Sequence, residues 1–180
     1  ATGLELAAAR NIDTAMLPAK AFAGRDAFES ALAETIAGFD PKLIALAGFM
    51  RVLSAPFVER HAGRMVNIHP SLLPKYRGLD THARALEAGD AEHGASVHWV
   101  TPELDAGPVI AQARVPVRDG DDAQTLADRV LEQEHRLYPA TLALLLSNPV
   151  GVHHDPSDNH TPPVLDRDFD AAGRWRNPGG

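Results

Sequence analysis

Lys42-Leu43-Ile44-Ala45-Leu46-Ala47-Gly48 is an unbroken apolar run between a lysine and a glycine. It is too short for a typical buried helix. It suits a strand covered on both faces, as in a parallel sheet. Working outward, the sequence alternates in period. Residues 25–39 place Phe28, Leu32, Ile36 and Phe39 at spacings of 4, 4 and 3, which predicts an amphipathic helix. Further upstream, residues 3–10 read as the end of a helix and 14–17 as a short strand. Downstream, residues 52–61 predict a short helix. Met65-Val66-Asn67-Ile68-His69 predicts a strand stopped by Pro70. Residues 81–87 predict a helix ending at Gly89. Residues 95–100 and 109–117 predict strands joined by the turn-rich stretch 103–108. Residues 122–147 hold the longest helical pattern, with Leu126, Val130, Leu137 and Leu142 inward and a break or kink at Pro139. This alternation predicts an α/β fold, a mostly parallel sheet flanked by helices.

The chain has 180 residues, enough for one domain with an ordinary core. Seventeen Lys and Arg against 24 Asp and Glu leave a net charge of −7. That balance argues against nucleic-acid or anionic-membrane partners, so any anionic ligand must be held by a few local cations. With no cysteine, disulfides, thiolate zinc sites and cysteine nucleophiles are excluded. No apolar run is long enough to cross a bilayer, and a cytoplasmic location is the default expectation. Residues 148–180 carry five Pro and four Gly, a density that predicts a divergent, poorly ordered tail after a domain spanning residues 1–147. His153, His154 and His160 lie loosely in that tail, and no metal is expected.

Chemistry concentrates between Asn67 and Asp105. Asn67 and His69 are two apart on one strand and therefore share a face, near its carboxyl end. Ligands gather at that edge of open parallel sheets. An amide donor beside an imidazole can stabilise a developing oxyanion and move a proton. A carboxylate near the imidazole, such as Asp105 on the Gly- and Pro-containing turn, favours the imidazolium. Taken alone, a strand-end histidine beside a proline and an exposed loop aspartate have ordinary structural explanations.

The wording around these residues is more specific. Asn67-Ile68-His69-Pro70-Ser71-Leu72-Leu73-Pro74-Lys75-Tyr76-Arg77-Gly78 resembles the signature of the folate-dependent formyltransferases. His93-Gly94-Ala95-Ser96-Val97-His98-Trp99-Val100, Glu103-Leu104-Asp105-Ala106-Gly107-Pro108-Val109-Ile110 and Ala47-Gly48-Phe49-Met50-Arg51-Val52-Leu53-Ser54 continue the match. The similarity covers residues 1–143. It implies a Rossmann-like formyltransferase fold. It also implies transfer of a formyl group from 10-formyltetrahydrofolate, without a metal, to the amine of glycinamide ribonucleotide in purine synthesis. The chain would act as a monomer or homodimer. The resemblance makes Asn67, His69 and Asp105 the catalytic residues. It assigns folate contacts to Arg25, Met50, Arg51, Val52, Leu53, Asn67, Glu103, Leu104 and Asp105, and a ribonucleotide contact to Glu134. His98 is expected to support the site from a neighbouring strand. Asp80 departs from the pattern, which has a histidine there, whereas His82 is kept.

The same resemblance implies a first strand and a Gly/Ser/Asn-rich phosphate loop that these residues do not contain. The expectation is therefore an N-terminally truncated domain with weak ribonucleotide binding and a retained folate pocket. Alternatives stay open. A formyltetrahydrofolate deformylase would share the Asn/His/Asp trio and pass the formyl group to water. A non-catalytic folate-binding remnant would bind without turnover. A methionyl-tRNA formyltransferase would need a basic surface and a further domain, and a histidine metalloenzyme would need a third ligand at diagnostic spacing.

Overall fold

The computed structural model describes residues 2–147. The expectations for the tail and its three histidines fall outside that range. Contacts divide the chain into two units, one reaching Pro41 and the other starting at Lys42.

The first unit holds helix α1 (Thr2–Ala8), a single 3-10 turn (Ala19–Ala21) and helix α2 (Arg25–Phe39). The strand expected at 14–17 does not form. No described segment pairs with those residues, and an extended stretch without a ladder has no reason to be a strand. The helix expected at 25–39 forms with those bounds. Phe28 and Ala33 are buried on it, and Phe22 meets Phe28 edge to face with ring centroids 5.7 Å apart. Phe39, the last apolar position of the predicted stripe, is exposed. The helix stops because Asp40 turns left-handed (φ 44°) and Pro41 cannot continue it.

The second unit is a four-stranded sheet in the order β1 (Ile44–Leu46), β2 (Met65–His69), β3 (Glu92–Trp99), β4 (Val109–Pro116). Helices α3 (Ala55–Arg60), α4 (Thr81–Glu87) and α5 (Ala123–Ser147) complete it. The α/β class is as expected, but the pairing differs from a mostly parallel sheet. Only β1 and β2 run parallel; β2–β3 and β3–β4 are antiparallel among the described residues. The tight return at 103–108 can only join antiparallel neighbours, because a parallel pair needs a long crossover. β1 is also less covered than its apolar run suggested. It is three residues long, at the edge of the described sheet, and only half-buried. Full burial falls instead on β3, which is buried from His93 to Trp99. Gly94 permits this: a Cβ there would stand 1.9 Å from the Ala113 carbonyl oxygen of β4.

Strand alternation sorts the sheet into two chemically distinct faces. Val66 on β2 and Val97 and Trp99 on β3 join Ala111, Ala113 and Val115 in one apolar cluster. Leu126, Val130, Leu137, Tyr138 and Leu145 of α5 cover it, one stripe at helical spacing. The helix runs on through Pro139 rather than breaking there. The Tyr138 hydroxyl reaches the Leu46 and Val66 carbonyls at 2.8 and 3.2 Å, tying α5 to both parallel strands. Asn67, His69, Ser96 and His98 occupy the alternate positions. The register sets Asn67 opposite His98 and His69 opposite Ser96. Residues 70–78 lie over this polar face. The Ser96 hydroxyl donates to the Ser71 carbonyl (2.6 Å) and accepts from the Leu73 N–H (3.0 Å), and Gln112 donates to the Leu73 carbonyl (3.0 Å).

Candidate active site

Asn67 and His98 meet because β2 and β3 put them directly opposite one another. The His98 Nδ1 lies 2.9 Å from the Trp99 carbonyl, an acceptor, so that nitrogen carries the proton. The other nitrogen is then an acceptor in the neutral ring. It receives the Asn67 amide nitrogen at 3.3 Å. Burial is the main cause that lowers the His98 pKa from its ordinary value, which keeps the ring in this neutral form. The pair thus fixes which way the Asn67 amide faces and leaves its second N–H for another acceptor.

His69 ends β2 with its ring buried between two acceptors. Its Nε2 donates to the Tyr76 carbonyl at 2.9 Å, and its Nδ1 stands 3.4 Å from the Asp105 carboxylate. Both ring nitrogens find acceptors together only when both carry protons. Asp105 is held rather than floating. Its Oδ2 accepts the Gly78 N–H at 2.9 Å, and Oδ1 lies 3.7 Å from the His98 Nε2. Asp105 itself takes a left-handed backbone (φ 48°). Just beyond it, Gly107 packs so closely on the end of β3 that a Cβ would stand 1.8 Å from the Trp99 carbonyl oxygen. The Trp99 N–H donates to the Pro108 carbonyl at 2.9 Å. The turn is therefore pinned on both sides of the strand end, and the carboxylate is aimed at the two histidines. An amide, an imidazole and a carboxylate so arranged can donate to a developing oxyanion and shuttle a proton.

Asn67, His98 and Asp105 also line an open cleft, about 540 Å³ with its solvent included. Its lining also includes the apolar Phe49, Val52, Leu53, Val58 and Leu104. Val52 and Leu104 stay largely exposed, as does Met50 at 80%, which lies outside this lining. Exposed apolar groups around a cleft that also holds polar side chains mark a ligand surface. Arg51 is in the lining as well. Glu103 is not; its carboxylate pairs with Arg77 at 2.7 Å. Arg25 is the first residue of α2, in the first unit. Glu134 is half-buried on α5, and burial raises its pKa. It sits one turn before Tyr138, which reaches the end of β1. Asp80 is exposed at the start of α4, in a left-handed conformation and without a side-chain cap bond.

Sequence reasoning missed several participants. The Tyr76 carbonyl and Gly78 N–H act through the backbone, where residue type carries little signal. His93 pairs with His82 at 3.1 Å behind His69. Burial, reinforced by the neighbouring His82, pushes the His93 pKa down to about 4. His82 is shifted down too, by burial and then by His69. The sequence hint was a histidine at the start of a short helix, His82, and another on the strand that follows it, His93.

With this geometry in place, comparison with known proteins gives the class. The formyl transferase family matches residues 1–142, and the chain belongs to that family. Among individual proteins, the chain is 50% identical over 155 residues to the phosphoribosylglycinamide formyltransferase of Escherichia coli strain K12, covering 86% of this chain and 73% of that protein. It is 46% identical over 150 residues to the trifunctional purine biosynthetic protein adenosine-3 of Gallus gallus, spanning 83% of this chain but 15% of that one. The solved phosphoribosylglycinamide formyltransferase from Coxiella burnetii superposes with a TM-score of 0.76 at 53% identity, covering 82% of this chain and 69% of that one.

Proposed function

We propose that this chain transfers a formyl group from 10-formyltetrahydrofolate to the amine of glycinamide ribonucleotide, a step of purine synthesis. The observation that carries the reading is the convergence of Asn67, His69 and Asp105 at a cleft lined largely by apolar residues. The names of the similar proteins point to the same substrate. A flat folate ring suits a cleft lined by Phe49, Val52, Leu53 and Leu104 together with the polar Asn67, His98 and Asp105.

The amine attacks the formyl carbon, forming the new C–N bond and turning the formyl oxygen into an oxyanion. The free N–H of Asn67 donates to that oxygen, and the His69 Nδ1–H, held only loosely by Asp105 at 3.4 Å, turns to it as the charge develops while Nε2 stays on the Tyr76 carbonyl. Asp105 orients the His69 ring and accepts the proton released by the attacking amine, directly or through a water. Collapse breaks the bond to the folate nitrogen, which takes up a proton as it leaves. Arg51, Val52, Leu53 and Leu104 are proposed to hold the folate, together with Met50 and Glu103. Glu134 is proposed to contact the ribonucleotide.

The test supplies both substrates to the 180-residue chain and follows formylated ribonucleotide by mass spectrometry. Asn67→Ala, His69→Ala and Asp105→Ala should each lower turnover roughly 100- to 10,000-fold while the circular dichroism of the fold survives. Formate in place of the formylated amine would make the chain a hydrolase. Folate binding without any product would make it a non-catalytic binder. Near-normal turnover in His69→Ala would overturn the mechanism.

A further inference from the structure

We propose that Asp90, a residue outside the cleft, is a positioning residue for His69, acting through the backbone carbonyl of Tyr76. Asp90 follows α4, and its N–H is anchored on the Ala85 carbonyl at 3.1 Å. Its carboxylate gathers two consecutive side chains of the loop over the polar face. Lys75 Nζ donates to both oxygens at 2.9 Å, and the Tyr76 hydroxyl donates to Oδ2 at 2.8 Å. The main chain between them is also fixed, since the Ser71 hydroxyl donates to the Lys75 carbonyl at 2.6 Å. Tyr76 sits in the left-handed region (φ 56°), which a bulky non-glycine residue rarely adopts without support. In that conformation its carbonyl faces the His69 Nε2 at 2.9 Å. The Tyr76 ring is held from two further sides, edge-on to His93 at 6.1 Å and beneath the Arg84 guanidinium at 5.3 Å.

A surface Lys–Asp pair by itself contributes little to stability. Here the same carboxylate also takes the tyrosine hydroxyl, and the residue so clamped carries the acceptor for the His69 ring. Removing the clamp lets the Tyr76 peptide relax toward ordinary backbone angles. The His69 ring then loses the acceptor that fixes which nitrogen turns toward Asp105. A misplacement near 1 Å at a reacting group costs on the order of 100-fold in rate.

The kinetic half of the test rests on the proposed formyl transfer; the spectroscopic half does not. Asp90→Ala and Tyr76→Phe are compared with the native chain by multiple-bond ¹H–¹⁵N spectra of the histidine rings. The His69 signals are identified by their loss in His69→Gln. The native Nε2–H should be protected by its carbonyl partner. In Asp90→Ala it should exchange with water at least about tenfold faster, and kcat should fall about 10- to 100-fold with KM for the formyl donor within about threefold. Tyr76→Phe keeps the lysine pair and should move both readouts the same way by less. His69 signals matching the native ones in folded variants overturn the inference, whether or not the rate falls. If Asp90→Ala does not fold, the Tyr76→Phe spectrum decides by the same criterion. A native chain that transfers no formyl group removes the proposed function but leaves the ring readout decisive for Asp90.

Discussion

Replacing Gly107 with alanine is a sharp test of how the candidate site is built, because the perturbation is a single methyl group outside the catalytic trio. Its Cβ would stand 1.8 Å from the Trp99 carbonyl oxygen and 2.8 Å from the carbonyl carbon. Both neighbours are backbone, and real Cβ contacts essentially never fall below 3.0 Å, so the turn must retreat by more than 1 Å. That turn carries Asp105, whose Oδ2 holds the Gly78 N–H at 2.9 Å and faces His69 at 3.4 Å. The carbonyl being pushed is also the acceptor that orients His98, and through it the Asn67 amide. One methyl group therefore disturbs both arms of the site. A displacement of this size predicts about a 100-fold fall in kcat, equivalent to about 2.7 kcal/mol of lost transition-state stabilisation. Steady-state kinetics would read it, with Gly38→Ala as the control, since a Cβ there meets nothing within 4 Å. An independent readout is hydrogen exchange at Gly78, whose amide should lose protection. A Gly107→Ala enzyme within threefold of native, alongside an inactive Asp105→Ala, would refute the pinned-turn argument.

Further outcomes follow from buried polar groups. His93 is 1% exposed and its pKa is pushed down to about 4 from 6.5, so the fold keeps it neutral while the unfolded chain takes up a proton. Stability should be full above pH 6.5 and fall as pH drops toward 4. The loss at pH 5 should be about 1–2 kcal/mol, read as a lower urea midpoint than at pH 7.5. His61, His82 and His98 are shifted the same way and add to the slope; an equal midpoint at both pH values would contradict it. His61 is buried with neither ring nitrogen hydrogen-bonded, packed edge-on to Phe57 at 4.8 Å. His61→Phe removes both orphan nitrogens and should raise stability by about 1 kcal/mol; a lower melting temperature would mean those nitrogens are satisfied in solution. Tyr138→Phe should cost about 1 kcal/mol, because it strips a hydroxyl from the Leu46 and Val66 carbonyls; an unchanged urea midpoint would mean that water replaces it there.

Local patterns were legible wherever one face of an element is apolar. The spacing of Phe28, Leu32 and Ile36 and the long stripe from Leu126 onward each marked a real helix. Met65 to His69 formed a strand with the predicted bounds, because Pro70 ends it. The two-residue alternation already placed Asn67 and His69 on one face. The wording around them was specific enough to identify the family from residues alone.

Partners in space were not legible. Pairing direction depends on which strands become neighbours, and the apolar run at 42–48 reads the same in an edge strand as in a central one. The sequence by itself determined the helical stripes, the β2 strand with its two polar residues, and the identity of the candidate catalytic groups, because these follow from side-chain period and local chemistry. Only the tertiary structure decided that His98 fixes the Asn67 amide and that Gly107 pins Asp105. It alone brought the Tyr76 carbonyl to the His69 ring. These depend on distances between segments 7 to 36 residues apart, and on backbone atoms that every residue type presents alike.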